Sequence, residues 1–166
     1  NHRGIMVDPP VHSTRVLESF NINPKHIQAL LITHCHADHD AGALQKIVQE
    51  GRITVYTTHT VLSSFVNKYS QLTGMDAATF RRMFDHVAVR TGEPMTIHGA
   101  AVTFNYSLHS IPCMGFEVTF RGKGLVYPSD TLNDPDAIRA LEEQGVLTAD
   151  RTKQLLEFPW HHHLIL

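Results

Sequence analysis

The chain has 166 residues, 42% apolar and 18% charged, which suits one globular domain with a real core and excludes a disordered chain. Its 14 Lys and Arg stand against 16 Asp and Glu, so no basic field points to a nucleic-acid partner, and no apolar run is long enough to span a bilayer. Two cysteines, Cys35 and Cys113, cannot make a disulfide framework and point to the cytoplasm; the outlier is histidine, with 13 copies.

The first segment, "RGIMVDPP", is an apolar run closed by Asp8 and two prolines, and predicts a strand and a turn. Val11 to Phe20 has helical spacing, with Val16, Leu17 and Phe20 on one face. "ALLIT" is near-continuously apolar, as in a strand covered on both faces. "DAGALQKIVQEG" predicts a helix with Asp40 near its start and Gly51 just past its end. "ITVYTT" predicts a strand, and Thr60 to Leu72 and Asp76 to Phe84 predict helices. A β-rich stretch follows: "HVAVR", "PMTIHG", "AVTFNYSL", "GFEVTF" and "GLVYP", with "RGKG" as a hairpin turn. "NDPDAIRALEEQG" and "TADRTKQLLE" predict two more helices, the first capped by Asn133 or Asp134 and stopped by Gly145. Strands and helices come in two successive groups, which predicts a layered α/β sandwich. Leu164 to Leu166 read as a strand just begun, so the sequence is expected to be a fragment lacking structure at both ends.

The chemistry concentrates in "THCHADHD". His34 and His36 lie two apart at a strand end and leave on the same side, with Cys35 pointing the other way. Asp38 and His39 follow on the turn into a helix. This spacing suits two adjacent cations, one held by His34 and His36 and the other by Asp38 and His39; imidazole and carboxylate suit zinc, and also iron or manganese. A two-metal site further needs a third histidine and a shared carboxylate. His109, before the loop of "HSIPCMGF", and Asp130, in "VYPSDT", stand at predicted strand ends and fit those roles.

His34, His36, Asp38, His39, His109 and Asp130, in that order and spacing, resemble the metallo-β-lactamase superfamily. "HSIPCMGF" and "LVYPSDT" are most similar to its phosphodiesterase branch, which holds ribonuclease Z and cyclic-nucleotide phosphodiesterases. The resemblance implies a four-layer αββα sandwich with the metals at the edge of two sheets, here a single domain over residues 1–166 truncated at both ends. "GIMVDPP" resembles that branch's early strand, with Asp8 near the site, where it either orients a ligand histidine or caps the turn before Pro9. The branch completes its second metal site with a late histidine and carries another in a His-Glu-Ala motif. The resemblance places both beyond Leu166, so His161, His162 and His163 are not assigned as ligands and the chain alone is expected to be nearly inactive.

The expected reaction is hydrolysis of a phosphodiester, a 3′,5′-cyclic nucleotide first, by a hydroxide bridging two divalent metals and fixed by Asp38 and Asp130. Fused cyclic-nucleotide-binding domains outside the chain belong to the same expectation. The alternatives are a ribonuclease Z-like tRNA 3′-processing endonuclease, a glyoxalase II-like thioester hydrolase, and a sensor that binds nucleotide without turnover. Residues 110 to 129 are too few for a tRNA-clamping arm, and "LHSIPCMG" differs from the glyoxalase Gly-His-Thr-Pro-Gly context. Cys35 and Cys113 are expected to pack rather than react, and His59, His86 and His98 to be surface or hydrogen-bonded positions. The Arg81-Arg82 pair reads as a solvated helix face or a steering charge for an anion.

Overall fold

The two halves of the chain form two different sheets. The computed structural model describes residues 4–158 and 164–165, in two compact units, residues 1–90 and 91–166.

The first unit is built on a fully parallel sheet, β1 (Gly4–Val7), β2 (Ile27–Leu31), β3 (Thr54–Thr57) and β4 (Asp85–Ala88), paired in that order. Parallel strands need crossovers, and the intervening helices α1 (Ser13–Ser19), α2 (Ala37–Glu50), α3 (His59–Thr73) and α4 (Ala77–Arg81) serve as them. Leu30, Ile32 and Val55 are wholly buried, as expected of strands covered on both faces. Against them α2 sets Ala43 and Ile47, and α3 sets Val61, Phe65 and Tyr69 at four-residue intervals. The Phe65 ring centroid lies 5.7 Å from that of Phe80 and 6.0 Å from that of Phe84, which closes the cluster. Caps follow the expected chemistry: Thr58 and Asp76 accept from backbone N–H groups of α3 and α4, and Gly51 ends α2 with φ 73°.

Two expectations for this unit are corrected. In α1 only Leu17 of the three predicted apolar positions is buried, while Val16 and Phe20 are 46% and 72% exposed. The helix is held instead by polar contacts to α2, His12 N to Gln45 Oε1 and Thr14 Oγ1 to Gln49 Oε1, which turn Ser13 and Leu17 inward. The start of α2 lies earlier than read, at Ala37, so Asp38 and His39 belong to its first turn and Asp40 is buried within it.

The second unit is a sheet of β5 (Pro94–Ile97), β6 (Ala100–Ser107), β7 (Cys113–Phe120), β8 (Lys123–Tyr127) and β9 (Leu164–Ile165), antiparallel except for the β8–β9 pair. Two-residue turns, His98-Gly99 and Arg121-Gly122, join β5 to β6 and β7 to β8. All four of these residues have positive φ, the geometry that matches the twist of the flanking strands. Helix α5 (Pro135–Glu143) takes Pro135 at its first position and Asp134 as cap; α6 (Ala149–Leu156) is tied to β6 by Arg151 Nη2 donating to Tyr106 O at 2.7 Å. Leu164 and Ile165 pair as the predicted strand; Leu166 and the triplet His161, His162 and His163 lie outside the described residues. Among the described residues no helix is long and apolar enough to cross a membrane.

Gly42 positions the site. A Cβ there would run into the carbonyl oxygens of Pro9 and Pro10, so only glycine lets the turn after β1 dock on α2. Gly42→Ala is expected to cost about 1–3 kcal/mol, as overpacking against backbone does, while Gly51→Ala, which faces open space, pays only for its backbone conformation. Chemical denaturation of Gly42→Ala checks this, and a variant as stable as the parent would contradict it.

His86 on β4 bonds through Nε2 to Thr57 O at 3.1 Å, with the His59 ring centroid 5.5 Å away. Burial holds its pKa below the ordinary 6.5, helped by the charges of Arg81 and His59 and opposed by the Thr57 bond. The unfolded chain therefore takes up this proton first, so the stability is present above 6.5 and is lost as pH falls through the lower folded value. His86→Gln is expected to flatten that acid slope in a denaturation series; an unchanged slope would contradict it.

Candidate metal centre

Beyond β2 the chain stays extended, with Ile32 N donating to Tyr56 O at 3.2 Å, and then delivers His34, Cys35 and His36 directly into α2. His34 is wholly buried. Its ring centroid lies 4.9 Å from that of His36 and 4.1 Å from that of His39, so three imidazoles converge within one turn of chain. Asp38 stands beside them, its carboxylate 3.7 Å from His39 Nε2 and 80% exposed. An acid in the first turn of a helix is favoured by the helix dipole.

Asp8 organises the group. Its carboxylate accepts from Thr33 N at 2.8 Å, from Thr33 Oγ1 at 2.6 Å and from His39 Nδ1 at 3.0 Å. Burial holds the Asp8 carboxyl above the usual carboxylate range, and the bonds from His39 and Thr33 offset only part of that rise. The proton inventory then fixes two tautomers. A hydroxyl has one hydrogen; Thr33 gives it to Asp8, so at its 3.0 Å contact with His34 Nδ1 the oxygen accepts. His34 and His39 thus both carry hydrogen on Nδ1 and present the Nε2 lone pair, the form a metal ligand requires. Asp8 keeps this geometry at φ 42°, a strained conformation for a non-glycine residue.

Behind the histidines lies a second polar group that sequence reasoning missed. Asp40, wholly buried, accepts from Lys68 Nζ at 2.7 and 2.8 Å and from Tyr69 OH at 2.7 Å. Lys68 Nζ also donates to Cys35 O at 3.0 Å. Thr33 was visible as the first letter of the histidine motif; Lys68 lies on α3, and nothing local marks it. Cys35 is half-buried against the core, with its thiol raised to about 12 by burial and by the Asp40 charge, so it stays protonated and packs.

In the second unit the loops after β6 and β8 bring His109 and Asp130 together, Nε2 to Oδ2 at 3.6 Å. Ser107 Oγ donates to Pro128 O at 2.6 Å, Leu108 N to Thr131 Oγ1 at 3.2 Å and Leu132 N to Leu108 O at 2.8 Å, which lash the two loops to each other. Gly115 allows this: a Cβ there would lie 2.8 Å from the carbonyl oxygens of Tyr127 and Pro128. An open cavity is lined by His109, Ser110, Ser129, Asp130 and Thr131. Cys113, fully buried, donates to Ser129 Oγ at 3.5 Å and serves as packing.

The remaining readings divide. His59 and His86 form the ring pair already described, and His98 occupies a hairpin turn. Arg81 is committed to the fold, donating to Phe84 O at 3.1 Å and lying over the Phe84 ring, while Arg82 bonds Thr79. Each unit by itself supplies imidazole nitrogen with adjacent carboxylate oxygen, a donor set that fits borderline divalent cations.

Residues 1–164 match the family described as "Anti-Pycsar protein Apyc1". Two relatives from Dictyostelium discoideum match over all 166 residues: "cGMP-dependent 3′,5′-cGMP phosphodiesterase A" at 43% identity and "cAMP/cGMP-dependent 3′,5′-cAMP/cGMP phosphodiesterase B" at 37%. The chain spans 19% and 15% of their lengths. The metallo-β-lactamase fold protein YhfI from Bacillus subtilis superposes with a TM-score of 0.58 at 17% identity, over 84% of this chain and 55% of that one. The two sheets, their helices and the His34 turn thus make a metallo-β-lactamase fold, and the chain belongs to the anti-Pycsar protein Apyc1 family.

Proposed function

We propose that residues 1–166 act as one metallo-β-lactamase-like domain in which the two half-sites share a two-metal centre that hydrolyses a 3′,5′-cyclic nucleotide. His34, His36 and His109 would hold the first cation and Asp38 and His39 the second, with Asp130 available to both. The carrying observation is the Asp8–Thr33 arrangement, which presents the Nε2 lone pairs of His34 and His39. Zinc suits this donor set best, with iron or manganese as alternatives. When bound, such a pair of cations activates water at neutral pH and neutralises charge on a phosphoryl group.

The protein's own residues supply the rest. Asp38 and Asp130 hold the attacking water by its protons and aim it in line with the scissile P–O bond. Asp8 holds His39 directly, and His34 through Thr33, in fixed ring orientation. The cyclic-nucleotide reading is supported by the relatives' names and by the segment between His109 and Asp130, which is used up by β7, a two-residue turn and β8. The dependence on cyclic nucleotide in those names supports fused nucleotide-binding domains outside this chain, and the two free cysteines support a cytoplasmic setting.

Full-length protein loaded with Zn²⁺ or Mn²⁺ should hydrolyse cyclic AMP or cyclic GMP, lose the activity to a chelator and regain it with metal. Thioester cleavage of S-lactoylglutathione or processing of a tRNA precursor, with no cyclic-nucleotide turnover, would overturn the reading. His34→Ala and Asp130→Asn should each lower kcat/KM at least about 100-fold, the scale of removing one group that stabilises transition-state charge. Asp8→Asn should lower metal affinity about 10–100-fold, measured by competition with a chromogenic chelator; unchanged affinity would remove Asp8 from the centre.

A further inference from the structure

We propose that Lys68 is a positioning residue for the metal centre, clamping the peptide between Cys35 and His36; this rests on the metal-binding reading above. Four contacts close a ring. Lys68 Nζ donates to Cys35 O at 3.0 Å and to both oxygens of Asp40 at 2.7 and 2.8 Å, and Asp40 N donates to His36 O at 3.1 Å. The carbonyl before His36 is therefore held by the ion pair and the one after it by the first backbone bond of α2, and Tyr69 OH holds the Asp40 carboxylate from α3 at 2.7 Å.

The ring joins two parts of the ligand set. Cys35 lies between His34 and His36 on the extended loop, and Asp40 follows Asp38 and His39 on α2. Lys68 thus ties the loop that carries His34 and His36 to the helix turn that carries Asp38 and His39. Stability alone gives no reason for the pair. Asp40 is wholly buried and the Lys68 side chain is 27% exposed, and replacing a buried ion pair by apolar groups of similar volume is often neutral or stabilising. A charged pair whose cation also grips the carbonyl between two ligands has a geometric use that an apolar pair lacks.

The test is Co²⁺ binding to the full-length protein, followed by its visible d–d absorption, beside the thermal midpoint. Lys68→Met removes the clamp but leaves the Asp40 charge buried, so the double variant Asp40→Asn/Lys68→Met is made as well. It has no uncompensated charge and still lacks the donor to Cys35 O. We expect Lys68→Met to lower Co²⁺ affinity about 10–100-fold, the range for groups that orient metal ligands. The double variant should recover the thermal midpoint while retaining the weakened affinity and an altered d–d band. Should affinity recover together with the midpoint, or Lys68→Met bind Co²⁺ like the parent, the clamp is overturned and the metal centre stands. A parent that takes up no Co²⁺ overturns the metal centre and the clamp with it.

Discussion

One buried carboxylate governs the chemistry of the first unit. Asp8 accepts three hydrogen bonds, two from Thr33 and one from His39, and so decides which nitrogen of His34 and of His39 carries hydrogen. Bringing a carboxylate out of water is costly unless its oxygens are satisfied, and the donors that satisfy this one are His39 and Thr33, the residue before the histidine turn. Structure and reactivity therefore share the same bonds. The site also dictates a backbone cost: Asp8 is held at φ 42°, and the turn after it fits on α2 only because position 42 is glycine.

A second buried acid shows how the scaffold separates its tasks. Asp40 lies two residues after Asp38 on the same helix, yet one is wholly buried and ion-paired while the other has its carboxylate 80% exposed. The helix periodicity sends them in different directions: Asp38 towards the imidazoles and Asp40 into the body of the unit against α3. Burial has opposite consequences for the neighbouring groups. It keeps the Cys35 thiol protonated, with a pKa of about 12, and so removes a competing soft ligand from between two histidines.

Much of this was legible in the residues, for identifiable reasons. The near-continuous apolar run "ALLIT" marked β2 as a strand covered on both faces, because such a strand has no polar side to alternate with. "RGKG" announced its hairpin, because Gly122 accommodates a positive φ. The order and spacing of the histidines and carboxylates pointed to the metallo-β-lactamase fold, which the structural likeness bears out. What escaped were choices made by tertiary contacts. The apolar stripe of α1 suggested one buried face, but bonds to Gln45 and Gln49 select another. Asp40 looked like a helix-start acid, and its partner Lys68 lies 28 residues further along the chain. The hydrogen bonds of Asp8 depend on a separation of 25 to Thr33 and 31 to His39, distances over which a single sequence carries no pairing signal.

The family match, the relatives' names and the two sets of donors support the proposal of metal-assisted phosphodiester hydrolysis. That proposal requires donors from both units to share a pair of cations. The most direct measurement is anomalous diffraction at the zinc edge from crystals of the zinc-loaded protein. Two peaks about 3.5–4 Å apart, one bounded by His34, His36 and His109, the other by Asp38 and His39, with Asp130 between them, are the predicted result. A lone peak elsewhere, or peaks that leave His109 and Asp130 outside coordinating distance, would contradict it.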